Sequence, residues 1–253
     1  MTETLPSVLP ELTVTDAGDG PAVLLLHGGA GPMSVAGLAE LLAASGRRVL
    51  TPVHPGFSGT PYRAGTVDVA GLAALYAAVL AELDLHAVTV VGSSLGGWVA
   101  AELALLAPDR IGSLVLIDAI GIDVPDHPVA DVPNLTPEQV TDLAFHDPDR
   151  FRIDPATLPP EAQAAMAADG AALAAYTGGS PVDPTLAGRL GGITVPTLVL
   201  WGDDDGIVGH GYGQAYAAAI PGARFRLIES AGHLPQLEAP EPTLRAITDA
   251  TAS

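Results

Sequence analysis

The sequence predicts an α/β protein in which a mostly parallel sheet carries helices on both faces and a helical insertion interrupts the chain. Three observations support this prediction. Short apolar runs alternate with Ala- and Leu-rich segments of helical length. The runs are continuous rather than alternating with polar residues, as in parallel strands that are buried on both faces. Gly, His, Ser and Asp follow the runs directly, where the ligand sites of open parallel sheets lie.

Six apolar runs are predicted to be strands, and they cover residues 22–26, 48–53, 88–91, 114–117, 197–201 and 225–228. Helices are predicted between them because Ala and Leu have high helix propensity. The helical segments are residues 35–44, 67–83, 95–107, 213–219 and 242–250. Right-handed crossovers through these helices would make the strands parallel.

Residues 119–192 interrupt this alternation. The segment is rich in Pro and Asp, has no strong strand pattern, and offers helical pieces only at residues 136–145, 160–168 and 170–176. We therefore predict a helical cap at residues 119–192 over the carboxyl ends of the strands. Residues 1–118 and 193–253 would form the core.

Composition excludes several classes of function. The 29 acidic and 10 basic residues give a net charge of −19, which disfavours nucleic-acid binding. The absence of cysteine excludes disulfides and thiolate chemistry. No apolar run reaches the roughly 18–20 residues that cross a bilayer, and the first residues lack the regions of a secretory signal. We expect a cytoplasmic protein that binds neither membrane nor nucleic acid; whether it forms a homodimer stays open.

Ser94 is the candidate nucleophile. It lies between Gly92 and Gly96 in a Gly-x-Ser-x-Gly pattern, where a predicted strand passes directly into a predicted helix. In that context the serine is held on a sharp turn with its hydroxyl exposed. Because a serine hydroxyl is a poor nucleophile at neutral pH, it needs a positioned base.

His233 is the candidate base, because among seven histidines it alone lies in a short Gly-containing loop after a late strand. Its imidazole needs an acceptor on the second nitrogen, and the loop after Trp201 offers three consecutive aspartates, residues 203–205. The order Ser, Asp, His along the chain is the order associated with this type of serine turn. Asp118, which follows another strand, stays an alternative acid.

Several motifs resemble those of the α/β-hydrolase superfamily, in its serine-hydrolase branch, over nearly the whole chain. They are HGGAGP at 27–32, PGFSG at 55–59, VGSSLGG at 91–97, WGDDDGIV at 201–208 and AGH at 231–233. The second motif departs from the usual order at Ser58 and Gly59. The resemblance implies an α/β-hydrolase fold and places the acid at Asp205. It also implies an oxyanion hole formed by the backbone N–H groups of Gly29 and Leu95, and it requires no cofactor and no metal.

The resemblance also implies hydrolysis of a small-molecule substrate through an acyl-enzyme on Ser94, most simply of a small, largely apolar carboxylic ester. Met33, Phe145 and Tyr176 are candidates to line the substrate pocket. A serine at the elbow argues against epoxide hydrolases and haloalkane dehalogenases, because their relatives need a carboxylate nucleophile there.

Three other functions stay open. The HGGAGP turn is similar to the HGxGPG turn of meta-cleavage carbon–carbon bond hydrolases, but the predicted cap has no Arg-rich patch for a carboxylate substrate. Its arginines are Arg150, Arg152 and Arg189. Cofactor-free perhydrolysis is the second alternative. The third is a small-molecule receptor that keeps the triad but turns over slowly or not at all.

Overall fold

The computed structural model of the protein describes residues 9–251. The predictions for residues 1–8, including the absence of a secretory signal, and for residues 252–253 lie outside this range. Within it, seven strands form one sheet: β1 Val14–Ala17, β2 Ala22–Leu26, β3 Arg48–Pro52, β4 Val88–Ser93, β5 Ile111–Ile117, β6 Thr197–Gly202 and β7 Arg224–Ile228. Their order is β1-β3-β2-β4-β5-β6-β7.

The sheet is parallel except at one edge, so the prediction of a mostly parallel sheet is confirmed. β1 pairs antiparallel with β3, and the remaining pairs are parallel. β1 was not among the predicted strands. Its sequence, VTDA, is half polar and largely exposed at the sheet edge, so it lacks the apolar run that marks the buried strands.

Ten α-helices accompany the sheet in the described range: α1 Met33–Ala44, α2 Val69–Glu82, α3 Leu95–Leu106, α4 Pro137–Ala144, α5 Pro148–Phe151, α6 Pro160–Thr177, α7 Leu186–Arg189, α8 His210–Ala219, α9 Pro235–Glu238 and α10 Pro240–Thr251. The five helices predicted between strands are all present, with ends that differ by a few residues. None of the helices described here has both the length and the apolar character that crossing a bilayer demands.

Two apolar cores lie on opposite faces of the sheet, as alternation of side chains along each strand requires. On one face, Leu24 and Leu26 of β2 pack in the cluster that contains the buried residues of α2, α3 and α8. On the other face, Val23 and Leu25 pack in the cluster that contains those of α1 and α10. Helices therefore cover both faces, as predicted.

Helix α6 corrects one detail of the prediction. Residues 160–168 and 170–176 were expected to be separate helices, but they form one continuous helix, Pro160–Thr177, that ends at Gly178 in the left-handed region. An internal Gly170 costs about 1 kcal/mol relative to Ala. Burial of Ala172 and Tyr176 on the same helix offsets that cost.

Between β5 and β6 the chain forms α4 to α7, and a bidentate ion pair joins this segment to the core. Arg189 of α7 contacts Glu102 of α3 through two nitrogens at 2.6 Å, and it also contacts Asp183 at 2.8 Å. The Tyr212 hydroxyl of α8 accepts a hydrogen bond from the Ile122 N–H and donates one to the Ile122 carbonyl oxygen. The segment is therefore fixed to the helices that pack on the sheet.

Candidate active site

Ser94 lies between the last residue of β4 and the first residue of α3, in a conformation that is rare for a residue with a side chain. Its φ is 53° and its ψ is −116°, a strained region that costs about 1–3 kcal/mol. Gly96 is required nearby because a Cβ there would overlap the carbonyl oxygens of Leu26 and His27. The local sequence thus permits a tight turn that presents the Ser94 hydroxyl at the carboxyl edge of the sheet.

A chain of hydrogen bonds leads from this hydroxyl to a buried carboxylate. Ser94 Oγ lies 3.0 Å from His233 Nε2, and His233 Nδ1 lies 2.8 Å from Asp205 Oδ2. His233 and Asp205 are 8% and 6% exposed, so water competes little for either contact. The structure therefore brings together the three residues expected to be nucleophile, base and acid, and the arrangement can move a proton from serine to imidazole.

The Asp205 side chain is fixed by its own loop. Its Oδ1 accepts hydrogen bonds from the backbone N–H groups of Ile207 and Val208, at 2.8 and 2.9 Å. The indole of Trp201 donates to the Val208 carbonyl oxygen at 2.7 Å. These contacts hold the Asp205 side chain in the orientation that places its Oδ2 on His233.

The C-terminal end of α4 connects the loops that carry the base and the acid. The Ala144 carbonyl oxygen accepts from the His233 N–H at 2.8 Å, and the Leu143 carbonyl oxygen accepts from the Gly206 N–H at 2.9 Å. The Glu238 carboxylate accepts a hydrogen bond from the N–H of Gly232, the residue before the base, at 2.6 Å. The same carboxylate accepts from the N–H groups of residues 146 and 147.

The expected oxyanion turn lies against Ser94. A Cβ at Gly28 would come within 2.9 Å of the Ser94 Cβ, so only glycine allows this approach. The N–H of Leu95 is the first of helix α3, and it has no acceptor within the helix. Gly29 follows Gly28 and Leu95 follows Ser94, so both residues assigned to an oxyanion hole belong to segments that adjoin the serine turn.

Two buried histidines hold that turn in place. The His54 N–H donates to His27 Nε2 at 3.0 Å, so His27 is a neutral imidazole whose Nδ1–H faces the Gly28 carbonyl oxygen at 2.8 Å. His54 Nε2 lies 2.9 Å from the His27 carbonyl oxygen, and its Nδ1 faces the Tyr76 hydroxyl. Burial lowers the pKa of His27 to about 4 and that of His54 well below its usual value. Both histidines therefore have a structural role in this turn.

Asp118, the alternative acid, lies beside Asp205 but does not hydrogen-bond His233. It is completely buried, and its Oδ1 accepts the Gly202 N–H at 2.9 Å. Burial, and then the nearby charge of Asp205, raise its pKa well above the usual value. Asp118, Asp205 and His233 form a compact group that could hold a metal ion, with ligand atoms within 4.8 Å of one another. The contact between His233 and Asp205 already accounts for the proximity of that pair.

The three candidate pocket residues lie in different surroundings. Met33 is 78% exposed at the start of α1, and Tyr176 is buried with its hydroxyl on the Pro55 carbonyl oxygen. Phe145 stacks on Phe151 with ring centroids 4.5 Å apart, one residue beyond the Ala144 carbonyl that holds His233.

Sequence reasoning missed two α6 residues that lie over the oxyanion turn. A Cβ at Gly29 would come within 2.7 Å of the Leu173 side chain, and a Cβ at Gly31 would overlap the Asp169 carboxylate. Asp169 also accepts the Ser58 N–H at 2.5 Å. The spacing of four residues places both on one helix face, a signal that the assumed break in α6 concealed.

The chain is similar to known hydrolases along most of its length. Residues 23–246 match the model of the alpha/beta hydrolase family. A 2-hydroxy-6-oxononadienedioate/2-hydroxy-6-oxononatrienedioate hydrolase of Cupriavidus pinatubonensis is 30% identical, with 92% of this chain and 88% of the relative covered. A pimeloyl-[acyl-carrier protein] methyl ester esterase of Aromatoleum aromaticum is 33% identical, with 90% and 97% covered. The structure of a thermophilic esterase from Thermogutta terrifontis superposes with a TM-score of 0.76 at 28% identity, over 94% of this chain and 92% of that one.

Proposed function

Because this chain belongs to the alpha/beta hydrolase family, we propose that it is a serine hydrolase that cleaves a small carboxylic ester with Ser94, His233 and Asp205 as its catalytic triad. The observation that carries the proposal is the hydrogen-bond chain from Ser94 Oγ through His233 to Asp205, with links of 3.0 and 2.8 Å. A hydroxyl, an imidazole and a carboxylate at these distances are the parts that nucleophilic acyl transfer requires.

In the proposed reaction Ser94 Oγ attacks the ester carbonyl carbon while His233 Nε2 takes the hydroxyl proton. The N–H groups of Gly29 and Leu95 stabilise the oxyanion, each donor contributing about 3–4 kcal/mol. The tetrahedral intermediate collapses when His233 protonates the departing alkoxide, which leaves an acyl group on Ser94. Water then attacks the acyl-enzyme with His233 as the base. The carboxylic acid product is released, and His233 returns the proton to Ser94.

We also propose that residues 119–192 act as a cap over this site. Three contacts of α6 support the proposal. Leu173 lies over Gly29, Asp169 lies over Gly31, and the Asp169 carboxylate accepts a hydrogen bond from the Ser58 N–H. Since the oxyanion turn lies beneath α6, this helix would define one wall of the substrate pocket.

The charges on that wall favour an uncharged substrate. Leu173 is apolar, and Asp169 would repel a substrate carboxylate. Two arginines of the segment are in ion pairs: Arg152 contacts Asp142, and Arg189 contacts Glu102. The similarity to a methyl ester esterase over 90% of the chain is consistent with an ester substrate.

Carbon–carbon bond hydrolysis is the second candidate. It is favoured by the similarity to several hydrolases of 2-hydroxy-6-oxononadienedioate, of which the one from Cupriavidus pinatubonensis covers 92% of the chain at 30% identity. The substrate named for those relatives carries two carboxylates. Arg152 and Arg189 are in ion pairs and Asp169 is negative, so these three side chains favour the ester over this dicarboxylate.

The test is hydrolysis of p-nitrophenyl esters from acetate to decanoate by the wild type, Ser94→Ala and Ser93→Ala, with intact mass after a fluorophosphonate probe. Ser93 is the matched control because it is adjacent but buried, and its hydroxyl accepts from Gln236. We expect a single adduct and chain-length-dependent turnover, both lost in Ser94→Ala and retained in Ser93→Ala.

Two other outcomes would contradict the proposal. A labelled Ser94 with negligible turnover of every ester, but cleavage of 2-hydroxy-6-oxononadienedioate, would assign carbon–carbon hydrolysis instead. An adduct that persists in Ser94→Ala would mean that the nucleophile is a different residue.

A further inference from the structure

Asp118 extends the sheet by one hydrogen bond through its side chain. Its backbone N–H donates to the Leu200 carbonyl oxygen at 3.0 Å, and its Oδ1 accepts the Gly202 N–H at 2.9 Å. Its φ of 45° lies in the left-handed region, which turns the chain after β5 and directs the carboxyl group toward β6. The side chain therefore fixes Gly202, where the loop that carries Asp205 begins.

The second oxygen of Asp118 faces a different environment. Among the described residues, Asp118 Oδ2 is buried and has no hydrogen-bond donor. The Asp118 and Asp205 carboxylates lie within 4.8 Å of each other and of His233, and water reaches none of the three freely. Two carboxylates that share a buried site disfavour each other's ionisation, which favours the state in which one of them keeps a proton.

The hydrogen bonds decide which carboxyl group keeps it. Asp205 receives three N–H donors, from Ile207, Val208 and His233, and each of them favours the ionised form. Asp118 receives one such donor, from Gly202. These contacts favour Asp118 as the member of the pair that keeps the proton, in agreement with its raised pKa.

We infer that Asp118 is a positioning residue for the proposed triad: a neutral carboxylic acid whose hydroxyl donates to Asp205 while its carbonyl oxygen accepts the Gly202 N–H. This inference rests on the proposed function. A carboxylate offers about four lone-pair sites, and three on Asp205 are occupied by N–H donors. The Asp118 hydroxyl fills the fourth, so Asp205 is held from all sides while the pair carries a single negative charge beside His233.

Three variants test the inference. Asn at position 118 keeps both a donor for Asp205 and an acceptor for Gly202, so Asp118→Asn should keep kcat within about 3-fold of the wild type. Asp118→Ala loses both the donor and the acceptor. Its kcat should fall by about 10- to 100-fold, the loss that is common when a residue that hydrogen-bonds and orients a functional side chain is removed. KM should change little, because Asp118 is completely buried and offers no surface to a substrate. Asp118→Leu, which fills the space without a donor, should resemble Asp118→Ala.

A spectroscopic measurement keeps the test independent of activity and of any variant that folds poorly. With ¹³C-labelled aspartate, the wild type at about pH 8 should show one carboxyl resonance of a protonated acid, and Asp118→Asn should lose it. The acid limb of kcat/KM against pH should stay in place in Asp118→Asn and move in Asp118→Ala.

The inference is overturned if the protonated carboxyl is missing at pH 8, or if Asp118→Asn loses as much kcat as Asp118→Ala. Failure of the proposed function would look different: the fluorophosphonate adduct on Ser94 would be missing in the wild type as well. Labelling of Ser94 at the wild-type rate in Asp118→Asn, together with loss of the protonated resonance, would support both proposals.

Discussion

The hydroxyl of Tyr176 donates to the carbonyl oxygen of Pro55 at 2.7 Å, a contact that joins helix α6 to the loop after β3 across 121 residues. The Tyr176 ring also lies nearly parallel to that of Phe57, with centroids 6.3 Å apart. The contact fixes α6 above the oxyanion turn, so Tyr176 has a structural role whether or not it also lines the pocket.

Tyr176→Phe should lower the free energy of unfolding by about 1–2 kcal/mol, because it removes a buried hydrogen bond and leaves the Pro55 carbonyl without its donor. Urea unfolding measures the change. Tyr62→Phe is the control. Because Tyr62 is 54% exposed, this variant should have nearly the same free energy of unfolding as the wild type. Unchanged stability together with an altered preference for acyl chain length would instead make Tyr176 a pocket residue.

The buried pair His27 and His54 should make the fold sensitive to mild acid. Both have a lowered pKa in the folded state, about 4 for His27, whereas an unfolded histidine titrates near 6.5. Below that pH the unfolded chain binds more protons, so stability is fully present above about pH 6.5 and is lost as pH falls toward 4. Each histidine contributes a slope of up to about 1.4 kcal/mol per pH unit.

His54→Gln should reduce that slope, because it keeps a donor for the His27 carbonyl but removes one titrating group. Urea unfolding between about pH 4.5 and about pH 7.5 measures the slope. His86→Gln, at an exposed site, should leave it unchanged. A slope in His54→Gln as steep as that of the wild type would refute this account of the buried pair.

Glu238→Ala should lower kcat by about 10-fold with little change in KM. Its carboxylate holds the Gly232 N–H at 2.6 Å, and Gly232 directly precedes His233, so the base loses part of its support. Steady-state kinetics on the p-nitrophenyl ester with the highest turnover measures kcat and KM separately. Glu241→Ala, an exposed acid in the first turn of α10, should behave as the wild type. Equal losses in the two variants would point to a general charge effect.

Asp169→Asn should favour substrates that carry a carboxylate. Asparagine can still accept the Ser58 N–H, but the negative charge over the oxyanion turn is gone. We expect kcat/KM for a half-ester with a free carboxylate to rise by about 3- to 10-fold relative to an uncharged ester of equal length, measured at about pH 8. Glu161→Gln, on the exposed first turn of the same helix, serves as the control. An unchanged ratio would remove Asp169 from the determinants of specificity.

The positions of Ser94 and His233 could be predicted because each lies in a short motif whose glycines dictate the turn. Asp205 was predictable from the spacing after Trp201, although its hydrogen bonds to residues 207 and 208 could not be read from the sequence. The parallel strands were predictable because burial on both faces leaves an unbroken apolar run. The edge strand β1 leaves no such run.

What the sequence could not supply are contacts between distant residues. Nothing near Glu238 indicates that its carboxylate reaches residues 146, 147 and 232, because those contacts span up to 92 positions. The pairing of His54 with His27 across 27 residues is similar. The low helix propensity of glycine also led to the wrong prediction of a break at Gly170, because the packing of α6 outweighs this local preference.

The two carbonyl oxygens of Leu143 and Ala144 restrict how this protein can be re-engineered. They hold Gly206 and His233, so replacing all of residues 119–192 with a foreign segment also replaces the acceptors for both loops. A graft that begins after residue 147 and ends at the turn after α6 leaves them untouched. Chimeras with that boundary should inherit a new substrate range from the donor while keeping the reactivity of Ser94 toward a fluorophosphonate.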